Sequence, residues 1–182
     1  HQHRLAGLQC RNITQLEKYK KMIQIPSSEL QQALEKDNKE FLRTIANTYL
    51  TAIGGNLNTS NMQLLNGWQH VLLSWYFFST EMDEGGFVQL IQNGYGGYIF
   101  DNPFAKALRL MGARELSKLI YRAKKIYDEN KTTLERDTSE EEFNAMYVDF
   151  EQFDELEEEY FDMEEEQLEI ISAYVKGHLS DF

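Results

Sequence analysis

Cysteine occurs once, at Cys10, and proline only twice, at Pro26 and Pro103. A single thiol can form neither an intramolecular disulfide nor a thiolate zinc site, which excludes a disulfide-stapled scaffold and a zinc ribbon. A reducing, cytoplasmic setting is therefore expected. No stretch approaches the roughly 18 apolar residues a membrane helix needs, and the most apolar one, residues 71–78, reads as core. Neither His70 nor His178 has a glutamate three residues before it, so the paired Glu-x-x-His of a carboxylate-bridged di-iron bundle is missing. There is no calcium loop of alternating acids around a central glycine, and a loose divalent-cation site is a minor alternative. Gly94-Tyr95-Gly96-Gly97 lacks the Gly-Lys-Ser/Thr ending of a phosphate loop and reads as turn geometry. No catalytic group, cofactor site or complete metal-ligand set is expected.

What is present is enough to fold. The 42% hydrophobic and 13% aromatic shares of 182 residues can bury a single core that offsets the entropy of ordering. The chain opens His1-Gln2-His3 rather than with Met, which reads as a cloning remnant or a processed terminus, so a signal removed upstream is left open. Residues 1–25 are taken as an N-terminal extension, partly such a remnant, and residues 26–182 as one helical domain.

Both prolines sit where a helix can begin, because proline in a first turn gives up a donor that would be unpaired anyway. After Pro26, with Ser27 or Ser28 as cap, Leu30, Ala33, Leu34, Phe41, Leu42, Ile45, Ala46, Tyr49 and Ile53 recur at helical spacing and predict one helix ending at Gly54-Gly55-Asn56. A second helix is expected from Ser60 or Asn61, with Leu64, Leu65, Trp68, Val71, Leu72, Trp75, Tyr76 and Phe78 making a face wide enough for a central position. On it, His70 reads as a hydrogen-bonded core histidine rather than a base. Gly85-Gly86 breaks the chain before a short helix over residues 87–93, and residues 94–102 read as a glycine and aromatic loop. Helices over 103–111 and from Arg114 to about Asn130 follow, and residues 130–139 read as a linker. Phe143, Met146 or Tyr147, Phe150, Phe153, Leu156, Tyr160 and Met163 then form one helical face, continued by Leu168, Ile171, Val175 and Leu179 in a terminal helix. The fold class is all-α, a single-domain multi-helix bundle with an acidic C-terminal helical segment.

That segment holds the charge. Of the formal net charge of -12, residues 131–182 contribute 18 acids against 3 bases, while the rest of the chain is slightly basic. Residues 149–169 carry Asp149, Glu151, Asp154, Glu155, Glu157, Glu158, Glu159, Asp162, Glu164, Glu165, Glu166 and Glu169 with no lysine or arginine. Helix-stabilising Glu–Lys pairs are thus absent where they are usually found. Glu151, Glu155, Glu158, Asp162, Glu165 and Glu169 step by four and three, which on a continuous helix puts them on one face opposite Phe153 and Leu156. Over about 31 Å of helix the twelve carboxylates fall roughly every 2.6 Å, within about a factor of two of the charge spacing of duplex DNA. Ionised carboxylates accept the forked donors of arginine as phosphates do. The face therefore suits a basic protein and repels nucleic acid and anionic lipid; a solvated face that only aids solubility is the plainer reading of the same run. Lys118, Arg122, Lys124 and Lys125 make a small basic patch beside it.

Gly67-Trp68, Gly85-Gly86-Phe87, Gln89 and Asn93, the helices opening at Pro103 and Arg114, the closing Phe153-Asp154-Glu155-Leu156 with Tyr160, and Tyr174-Val175 carry a resemblance over roughly residues 30–180. The chain resembles the bacterial DNA-mimic protein family, uncharacterised helical domains that include an acidic protein binding a transcriptional regulator in place of DNA. The family pattern has Asn-Gly-Gly-Phe where this chain has Glu84 before Gly85, so a turn role for that asparagine does not carry over. The resemblance implies an all-helical fold, no enzyme activity, and structural roles for the glycines and Gln89. The expected function is that of an acidic binding protein occupying the DNA-binding surface of a transcriptional regulator or other basic DNA-binding protein. An immunity protein neutralising a basic toxin is the alternative, a carboxylate-based hydrolase a distant one, and a homodimer is compatible with either.

Overall fold

The computed structural model describes residues 23–182. Expectations placed on residues 1–22, Cys10 and most of the N-terminal extension among them, lie outside the described residues. Among those described, the secondary structure is nine α-helices and two 3-10 turns, with no strand. The all-α multi-helix bundle is observed.

The first expected helix is two. Helix α1 (Ser27–Leu34) starts at Pro26 with no side-chain cap, so neither Ser27 nor Ser28 serves as one. Helix α2 (Asn38–Ala52) starts after three intervening residues because the Asp37 side chain accepts from the Glu40 backbone N–H at 2.9 Å. Asp37 prefers capping to continuing a helix, and the apolar spacing does not register the break because Ala33 before it and Phe41, Leu42 and Ile45 after it all join one core. The next helix begins later than Ser60 or Asn61. Asn58 and Asn61 instead tie the turn through Ser60 N–H to Asn58 and Asn61 Nδ2 to the Asn56 carbonyl, at 2.9 and 2.7 Å. Helix α3 (Gly67–Glu84) opens at Asn66, whose side chain and that of Gln69 form a reciprocal capping box.

The Gly85-Gly86 break falls as expected, between α3 and α4 (Gly86–Gln92). The expected loop over 94–102 contains a short helix, α5 (Gly96–Phe100), packed so tightly that a Cβ on Gly96 would come within 2.7 Å of the Tyr127 ring. Helix α6 (Phe104–Met111) ends on left-handed Gly112, and α7 (Arg114–Glu135) extends past the expected end, through a non-helical Asn130. Buried Leu134, together with a 2.8 Å bond from the Tyr127 hydroxyl to Glu135, anchors that added turn and shortens the linker. Helices α8 (Glu140–Asp149) and α9 (Gln152–Gly177) follow, the first opened by a Ser139–Glu142 capping box. The expected continuous acidic helix is therefore interrupted at Phe150, and the expected separate terminal helix is the second half of α9.

Helix α3 is central, in contact with α2, α4, α5 and α6. Helix α9 lies across α7, α2, α4 and α6, burying Phe153, Leu156, Tyr160, Leu168, Ile171 and Val175. Aromatic rings join the layers: Phe78 meets Tyr160 edge-on at 5.0 Å, Phe87 stacks on Phe153 at 5.2 Å, and Phe100 meets Tyr127 at 5.0 Å. Each fully buried ring contributes about 1.5–3 kcal/mol, so the Tyr160 and Phe153 contacts fix the long acidic helix on the body, and the Phe100–Tyr127 contact joins α5 to α7.

Candidate partner-binding face

Because α9 buries a stripe at three- and four-residue spacing, the opposite face must project. Glu151, Glu155, Glu158, Asp162, Glu165 and Glu169 are all exposed, as the stepping requires. Asp154 and Glu166 are exposed beside them, and Asp149 is exposed at the end of α8, across the break. None of these nine carboxylates has a side-chain hydrogen bond or a salt bridge among the described residues. From Glu151 to Glu169 the helix rises about 27 Å, so the outward row places one carboxylate per roughly 5 Å, against about 3.4 Å per phosphate along one DNA strand.

The other three acids turn toward the chain's own donors. Glu157 accepts from the Phe87 backbone N–H at 3.0 Å, and burial pushes its carboxyl above the usual glutamate range, partly offset by that bond and reinforced by Asp154. Glu159 is gripped by Arg122 at 2.6 Å. Glu164 accepts from the Tyr160 hydroxyl at 2.6 Å and from Lys39 at 3.3 Å, and Lys39 also holds Asp83 at 2.9 Å. Burial alone would lower the Lys39 pKa, but Asp83 and Glu164 together hold it above the ordinary lysine value. Sequence spacing contained a signal for two of these. Glu157 lies four residues after Phe153 and three before Tyr160, and Glu164 four after Tyr160, so both flank the buried stripe.

The residues singled out between 67 and 93 lie at helix starts, in the Gly85-Gly86 turn and in packing contacts. Gly67 is the first residue of α3, and Trp68 is half-buried against Tyr174 and Phe182, at 5.6 and 5.9 Å. Gln89 and Asn93 donate to the buried Glu81 carboxylate at 2.9 and 2.8 Å, beside the Gly85 turn. Burial raises the Glu81 pKa, and those two bonds partly counter it. Gly86 has φ +85°, and a Cβ there would overlap the Glu157 carboxylate. His70 is a core histidine: Nε2 lies 2.8 Å from the Met62 carbonyl and must donate, so Nδ1 accepts from the Tyr98 hydroxyl at 2.7 Å. Burial lowers its pKa to about 4.

Among the described residues no three His, Cys, Asp or Glu side chains converge as metal ligands, and no helix is long and apolar enough to cross a membrane. The small basic patch is partly spent: Arg122 is on Glu159, Lys124 bridges Asp128 and Asp101, and Lys118 pairs with Glu115.

An all-α body that mounts a row of unpaired carboxylates on one long helix defines an acidic, surface-presenting protein. Residues 63–178 match the DMP19-like protein family, and the chain belongs to that family. A curated relative, the DNA mimic protein DMP19 of Neisseria meningitidis serogroup B (strain ATCC BAA-335 / MC58), is 28% identical over 151 residues, covering 81% of this chain and 90% of the relative.

Proposed function

We propose that this chain is a non-enzymatic DNA mimic whose outward α9 row, extended by Asp149 on α8, occupies the DNA-binding surface of a basic DNA-binding protein, a transcriptional regulator being the partner of choice. The observation that carries the reading is the unpaired row itself: six exposed carboxylates over about five turns of α9 and its cap, with every inward acid satisfied elsewhere. Like charges at this spacing repel and cost helix stability, so a row left without lysine or arginine is better explained by an external cation-rich partner than by the fold's own needs. The relative's name as a DNA mimic supports the same reading. The row also argues against direct nucleic-acid binding, and a regulator partner implies the cytoplasm.

Affinity capture from the native cell tests it. Recovery of a DNA-binding regulator whose complex dissociates with salt is the expected result. Recovery of a basic toxin instead would replace mimicry with the immunity reading.

A further inference from the structure

We propose that Glu157 is a positioning residue of the acidic face and not a partner contact: its carboxylate, seated on the Phe87 N–H in the space Gly86 leaves open, sets the rotational phase of the first turns of α9. The inference rests on the proposed reading of the outward row as the binding face.

The chain bends at Phe150, so the start of α9 does not inherit its orientation from α8 and needs its own anchor. Both helices find it on one turn. From α8, the Tyr147 hydroxyl donates to the Gly85 carbonyl at 3.1 Å; from α9, Glu157 accepts from Phe87 N–H at 3.0 Å. One turn earlier on α9, Phe153 stacks on the Phe87 ring at 5.2 Å, so residue 87 holds the helix by its ring and its backbone at once. Two points a turn apart on one side of a helix fix its phase, and a step of about 100° per residue then places Glu155 and Glu158 outward.

Gly86 is needed twice over. Its φ of +85° is a conformation that side-chain-bearing residues rarely adopt, and a Cβ would overlap the carboxylate. The Glu157 charge is not matched by any cation among the described residues, and the neighbouring Asp154 opposes it. What the site uses is an acceptor oxygen of the right reach, which glutamine also supplies.

The test compares Glu157→Gln, Glu157→Ala and Glu158→Gln, using a dodeca-arginine peptide as the basic probe and amide exchange as a probe-independent readout. Glu157→Gln should keep the Phe87 amide protected, with peptide affinity and its salt dependence within about twofold of the parent. Glu157→Ala should expose that amide and the first turns of α9 to exchange and weaken the peptide about fivefold or more, although every outward charge remains. Glu158→Gln should leave exchange alone and flatten the salt dependence. If Glu157→Gln flattens the salt dependence as Glu158→Gln does, or Glu157→Ala leaves the Phe87 amide protected, the positioning role is wrong. If the exchange pattern holds while Glu158→Gln leaves the salt dependence untouched, the positioning role stands and the binding-face reading falls.

Discussion

Arg122 reaches from α7 to α9 and places its guanidinium 2.6 Å from Glu159, removing one carboxylate from the outward charge. The two side chains are 50% and 39% exposed, so the pair contributes less than about 1 kcal/mol to stability. Arg122→Gln should therefore leave the melting temperature nearly unchanged while releasing Glu159 to the face. Titration with a basic partner across a salt series should show tighter and more salt-sensitive binding. Weaker binding would mean that Arg122 itself meets the partner.

The core and the acidic face should respond oppositely to substitution. Trp75 is 1% exposed at the centre of α3, and truncation to alanine leaves a cavity costing about 3–5 kcal/mol. Trp68 is only half-buried, so Trp68→Ala should cost less. The combined change Glu155→Gln, Glu158→Gln and Asp162→Asn removes like charges with no internal partner, and the melting temperature should hold or rise. A large loss on thermal denaturation would show these acids to be part of the fold.

Burial of His70 should appear as acid sensitivity. Its folded pKa, lowered to about 4 from 6.5, means that the unfolded chain takes up the proton first. The stability from keeping the ring neutral is full above about pH 6.5 and is lost as pH falls toward 4, on the order of 3 kcal/mol in all. Glu81 and Glu157, whose pKa values are raised, act in the opposite sense over the acidic range. The measurement is thus a difference: denaturant unfolding of the parent and of His70→Gln between pH 7 and pH 4. The variant is less stable at neutral pH, and the gap should narrow as pH falls. A constant gap would contradict the neutral, hydrogen-bonded ring.

Much of this was legible in the sequence because periodicity reports burial directly. The buried stripe of α9 and the six outward acids follow from three- and four-residue spacing, and both prolines sit at helix starts. Helix boundaries were less legible, since Asp37 and Asn66 interrupt or delay helices by capping chemistry that leaves the apolar spacing intact. Spacing puts six of the twelve acids outward, but which internal donors the others meet is decided by the tertiary fold. Only when α4, α7 and α2 are packed beside α9 do Phe87 N–H, Arg122 and Lys39 come within reach of Glu157, Glu159 and Glu164. Those partners lie 37 to 125 residues away along the chain, beyond any local pattern.

The account turns on whether the acidic face and DNA contend for one surface. With the captured DNA-binding partner in hand, its labelled operator DNA is titrated with this protein, and with the Glu155→Gln, Glu158→Gln, Asp162→Asn variant, at fixed ionic strength. The parent should displace the DNA stoichiometrically and the variant should do so only at higher concentration. A ternary complex in which DNA and this protein bind together, each with undiminished affinity, would contradict mimicry.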